Sequence, residues 1–95
     1  MKTLKSIIDK KMENREFREA FDEYEKEFQI AQKIIQLRKK SGMTQSELAK
    51  KANTSQSAIA RLESGEHHNI TLAFLHKVCN AMNIIPEIRF KKTGL

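Results

Sequence analysis

Residues Thr44 to Glu63 read TQSELAKKANTSQSAIARLE, and the pattern of this stretch decides the fold. Leu48, Ala49 and Ala52 fall along one side of a short helix, and Ala58, Ile59 and Leu62 repeat the same spacing in a second. Thr44 stands at an N-cap position with Glu47 three residues on. In a capping box the two side chains satisfy each other's otherwise unpaired backbone N–H groups. Thr54 or Ser55 takes the N-cap place before the second helix. Asn53 tolerates the left-handed conformation better than most residues and closes the first helix. The stretch therefore reads as two short helices joined by a tight turn through Ala52, Asn53 and Thr54.

The outward face of the second helix carries Ser55, Gln56, Ser57, Ala60 and Arg61. A face that only meets solvent would be rich in Glu and Lys. This one holds hydroxyls, an amide and an arginine, with no acid before Glu63. Such groups bond base edges in a major groove: Gln suits adenine, Arg suits guanine, and small neighbours such as Ser57 and Ala60 allow close approach. The plainer reading is an ordinary amphipathic helix pair. Against it stands the agreement of cap, turn, stripe and face with a helix-turn-helix.

Residues 37–84, LRKKSGMTQSELAKKANTSQSAIARLESGEHHNITLAFLHKVCNAMNI, resemble the helix-turn-helix of the phage-repressor (XRE) family. The resemblance rests on Thr44-Gln45, Leu48-Ala49, Ser57 to Ile59, and Leu62-Glu63-Ser64-Gly65. It implies that Gln45 bonds a phosphate, that Gln56 touches a base, and that position 61, here Arg, reads bases. It also implies that the loop after Gly65 passes the DNA backbone, so that His67 or Asn69 contacts phosphate. The expected base-contacting set is Gln56, Ser57, Ala60 and Arg61. The expected phosphate-contacting set is Arg38, Lys39, Thr44, Gln45, Ser55, His67 and Asn69.

The charge agrees with that placement. The 95-residue chain carries a formal +6. Residues 1–35 hold eight Lys/Arg and eight Asp/Glu, whereas residues 36–95 hold ten and four, so the whole excess lies with the motif. The 95-residue length suits one small domain with modest burial, or one domain plus an arm, and a hydrophobic content of 39% is enough for a core but low for a chain that must fold and pair. There is no apolar run of membrane-spanning length and no signal-peptide core, and a lone Cys79 excludes a disulfide framework; the expected location is the cytoplasm.

On the N-terminal side of the motif, Phe28, Ala31, Ile34, Ile35 and Leu37 predict a helix over 27–40. It ends in Arg38, Lys39 and Lys40, cations that suit the helix dipole and can also face phosphate, with Gly42 as its terminator. A break is expected near Glu25-Lys26. Before it, Asn14 caps a helix to Tyr24 that bears Phe17, Ala20, Phe21 and Tyr24. Leu4, Ile7, Ile8 and Met12 mark a first short helix behind Thr3. A helix so short is marginal alone and needs a partner for its apolar side. The aromatic helix packs on the domain or anchors another protein, and both readings stay open.

On the C-terminal side, Ser64 to Asn69 is a polar loop. His67 and His68 lack a ligand set at metal spacing and read as surface histidines. Thr71 caps a helix to Met82, with Leu72, Leu75, Val78, Cys79 and Met82 inward, which makes Cys79 a small core residue and no nucleophile. Beyond Asn83, Ile84, Pro86, Ile88 and Phe90 alternate with Ile85, Glu87, Arg89 and Lys91, the period of a strand. It would pair with its copy in a second chain or add to a partner's sheet. No nucleophile–base arrangement and no phosphate-binding glycine loop is present, so no catalytic residue, metal or cofactor is expected.

The expected fold is thus all-α: a five-helix repressor-like domain (27–83), an N-terminal helical arm (1–26) and a C-terminal strand and tail (84–95) paired across a dimer through Ile84, Ile88 and Phe90. Segment 17–49 further resembles HigA-type antitoxins, in which a helical segment precedes the repressor-like domain. That resemblance implies a RelE/HigB-like ribonuclease toxin as partner, repression of the protein's own operon, and toxin contacts at Phe17, Phe21, Tyr24, Glu16 and Glu23. The alternative is a stand-alone repressor bound as a homodimer to operator DNA.

Overall fold

A computed structural model describes residues 3–66 and 69–94. Among them lie five helices and no strand: α1 (Leu4–Lys11), α2 (Arg15–Lys40), α3 (Gln45–Lys51), α4 (Gln56–Ser64) and α5 (Leu72–Ala81). None of them is long and apolar enough to cross a membrane.

Every helix starts on a side-chain cap. Thr3, Asn14, Thr44, Ser55 and Thr71 accept hydrogen bonds from the backbone N–H of Ser6, Phe17, Glu47, Ala58 and Phe74 at 3.0–3.1 Å. Each such cap contributes about 1 kcal/mol. At Thr44 the box closes, because the Thr44 N–H donates to the Glu47 carboxylate at 3.2 Å.

The last four helices end alike. Gly42, Asn53, Gly65 and Asn83 take φ of 71°, 53°, 77° and 58°. The residue after each turns its N–H back five positions: Met43 to Arg38, Thr54 to Ala49, Glu66 to Arg61 and Ile84 to Cys79, at 2.9–3.2 Å. These are Schellman closures. They satisfy orphan carbonyls and reverse the chain within two residues, which makes a bundle of such short helices possible.

The core lies where α2 to α5 converge. Ile34, Leu48, Ile59, Leu62 and Val78 are fully buried, with Ala49, Ala52, Cys79 and Met82 around them. Cys79 is the small core residue expected. Burying one Leu or Ile side chain here contributes about 1.5–3 kcal/mol. Helix α4 packs against α3 and α2, and α3 also packs against α5.

Phe28 and Leu72, expected to face inward, are instead exposed, and two larger expectations are corrected. The break near Glu25-Lys26 does not occur, and α2 runs unbroken for 26 residues. The segment EYEKEF contains no Gly or Pro, and Tyr24 to Phe28 keeps the four-residue helical spacing, so nothing there stops propagation. The C-terminal strand does not form among the described residues; 84–94 is irregular. An alternating sequence becomes a strand only against a ladder partner, the described part of this chain offers none, and Pro86 removes a donor.

The arm stands clear of the core. No described residue before Ala31 is buried, and the radius of gyration is 16.2 Å, against about 12 Å for a compact chain of this length.

Candidate nucleic-acid interface

Helix α4 divides into two sides. Ile59, Leu62 and Glu63 face inward and are buried. Ser57, Arg61 and Ser64 lie on the opposite side at the 100° step of an α-helix, with Gln56 and Ala60 flanking them. Gln56, Ser57 and Arg61 are exposed and Ala60 is half-buried. The four residues expected to read bases thus share one open surface. Arg61 makes no ion pair within the described residues.

The only acid of α4 lies on its buried side. Glu63 accepts from Arg38 Nε at 2.6 Å, from Arg38 Nη2 at 2.9 Å and from Gln45 Nε2 at 3.1 Å. Arg38 Nη1 donates to the Met43 carbonyl at 2.9 Å. One carboxylate therefore ties the end of α2 to the start of α3 and the last turn of α4. Burial alone would raise the Glu63 pKa. Hydrogen bonds from Arg38 and Gln45, with the charges of Arg38 and Lys39, outweigh that and hold it below the usual carboxylate range. The Arg38 guanidinium is pushed up, foremost by its hydrogen bond to Glu63. As a result, the outward side of α4 presents no negative charge.

The phosphate set is divided by the structure. Lys39, Thr44 and Ser55 are exposed. The oxygens of Thr44 and Ser55 accept cap bonds, which leaves each hydroxyl proton able to donate outward. Gln45 is half-buried, with one amide hydrogen on Glu63. Arg38 is a correction: its side chain is 13% exposed and bonded inward, so it stands apart from the exposed cations. Asn69 is exposed in the left-handed region at φ 59°. His67 lies outside the described residues.

Sequence reasoning missed Glu63 as the partner of Arg38. The signal was available: an acid in the last turn opposes the helix dipole and beside Leu62 falls on a buried side, so it requires a cation. The partner sits 25 residues away, beyond the reach of any local pattern.

On the arm, Phe17 and Phe21 are half-buried and their rings stack at 6.2 Å between centroids, while Lys11 Nζ lies 5.7 Å from the Phe17 centroid. Tyr24 is 60% exposed, and Glu16 and Glu23 are exposed beside it. In the tail, Ile84 packs on the chain's own core, whereas Ile88 and Phe90 are exposed. The expected dimer trio is thereby split.

Comparison with known families finds that residues 34–88 match the family described as Helix-turn-helix (HTH_3). That span holds the end of α2, all of α3 to α5 and the first residues of the tail. No curated protein matches the chain.

Proposed function

The chain belongs to the XRE helix-turn-helix family, and from that premise we propose that it is a sequence-specific operator-binding repressor that also serves as the antitoxin of a RelE/HigB-like ribonuclease toxin. The observation that carries the DNA reading is the charge-free or cationic outward side of α4, whose one acid is withdrawn into a pair with Arg38. Gln56, Ser57, Ala60 and Arg61 read base edges from that side. Lys39, Thr44, Gln45, Ser55 and Asn69 supply the phosphate contacts that fix register. Two copies place two α4 helices one helical turn apart, roughly 34 Å, on a palindromic site.

The toxin reading is supported by the arm. Phe17, Phe21 and Tyr24 lie on one stripe of α2 with Glu16 and Glu23 alongside, and neither Tyr24 nor the acids are covered by the rest of the chain. Aromatic anchors ringed by acids suit a basic protein surface.

The test is footprinting on the DNA upstream of the protein's own gene, with and without the neighbouring gene product. The expected result is a protected palindrome, and a neighbour that copurifies with the chain and whose inhibition of translation the chain relieves. Protection without any small basic neighbour leaves the stand-alone repressor. Indifference to every duplex at low salt refutes the DNA reading.

A further inference from the structure

Half of the chain's formal +6 sits in its last eight residues, IRFKKTGL, where Arg89, Lys91 and Lys92 stand with no acid among them. Glu87 is the last carboxylate side chain before them. The tail is anchored only at its start: Ile84 packs on the core, and its N–H donates to the Cys79 carbonyl at 2.9 Å. Ile85, Pro86 and Glu87 then line a groove with Ile30, Lys33 and Leu37 of α2. From residue 85 onward no backbone hydrogen bond is made among the described residues. Arg89, Lys91 and Lys92 are exposed and form no ion pair among the described residues.

We infer that this tail is a second grip on duplex DNA, its three cations laid along phosphates beyond those held by α2 to α4. The inference rests on the operator-binding reading and extends it by contacts that carry no sequence information. Reach permits it. The lining residue of the groove farthest along α2 from Lys39 is Ile30, nine residues away, or about 14 Å at 1.5 Å per residue. Residues 88–92, extended, span up to about 17 Å. From any point along the groove the tail can therefore bring its cations level with Lys39 and Lys40. Charge is the second argument. A segment with no ladder and no core contacts of its own can follow a line of phosphates, and the release of counterions offsets the cost of ordering it. An anionic lipid surface is recognised by clusters of about four to eight Lys/Arg, and the tail has three, which favours the duplex.

The experiment is fluorescence anisotropy of the full chain on two duplexes, one from upstream of its own gene and one of unrelated sequence, across a range of salt. The joint variant Arg89→Ala, Lys91→Ala, Lys92→Ala keeps its helical circular dichroism, because all three side chains are exposed outside the helices. Its slope of log affinity against log salt falls by about 2.7 on both duplexes, at about 0.9 for each phosphate contact. Over a threefold rise in salt the unaltered chain then loses about twentyfold more affinity than the variant. The preference between the two duplexes stays the same. Exchanging Arg89→Lys, Lys91→Arg and Lys92→Arg keeps the slope, as does Phe90→Ala. A slope for the triple-alanine variant equal to that of the unaltered chain overturns the inference. So does a changed preference between the duplexes, or lost binding to anionic vesicles with the duplex slope untouched. A chain blind to every duplex at low salt refutes the operator reading and this inference with it; duplex binding with an unchanged slope refutes the inference alone.

Discussion

Removing the Glu63 carboxylate tests whether the link between α2, α3 and α4 is structural. The Arg38 and Glu63 side chains are 13% and 5% exposed, so the value for surface pairs, about 0–1 kcal/mol, does not apply. Glu63→Ala leaves a guanidinium with two donors unpaired away from water, a change of about 3–5 kcal/mol. A domain of this size has about 5–15 kcal/mol in all, and its melting temperature should fall by about 12 °C or more. Because the folded Glu63 pKa lies below its unfolded value of about 4.3, the pair stabilises fully above that value. Its contribution disappears as pH falls through the folded pKa. Urea unfolding followed by circular dichroism at neutral and acid pH measures both effects. Glu63→Gln should be less stable at neutral pH and lose less on acidification. Arg38→Met with Glu63→Leu should recover most of the stability that either change loses alone. A loss below about 1 kcal/mol for Glu63→Ala, or a double variant no better than the sum of its parts, would refute the reasoning.

Arg61→Ala should weaken operator binding by about 1–3 kcal/mol and relax preference at one base pair, measured by competition against substituted sites; equal weakening on all sequences would make Arg61 a phosphate contact. Lys39→Ala should lower the slope of log affinity against log salt by about 0.9 in titrations on any duplex. Gly65→Ala meets no neighbouring atom, so its effect comes from the left-handed backbone alone and should be about 1 kcal/mol in urea unfolding. Burial pushes the Cys79 thiol up, so its reaction with a thiol reagent should be slow in the native chain and accelerate in step with unfolding.

What the sequence disclosed followed the range over which its causes act. The capping box at Thr44 and Glu47 and the left-handed exit at Asn53 are settled within a few residues, and both are legible in the sequence. The open surface of α4 was legible because its residue types and its period agree. Less visible were features whose cause lies elsewhere. Arg38 looked like one of three equivalent cations until Glu63 claimed it from 25 residues away. The tail's alternation has the period of a strand, but alternation states only which side chains share a face, and the ladder must come from outside the segment. At Glu25-Lys26 the expected break does not form, because both residues favour helix and Phe28 keeps step with Tyr24.

The unbroken course of α2 has a mechanical consequence. At 1.5 Å per residue its 26 residues span about 39 Å, and one end is locked into the Glu63 junction while the other carries the aromatic rings. A protein that clasps the outer end holds a lever with no hinge. The bearing of such a protein toward DNA held at α4 would be set by the axis of one rod, so whether the two could be bound together would be a question of clearance.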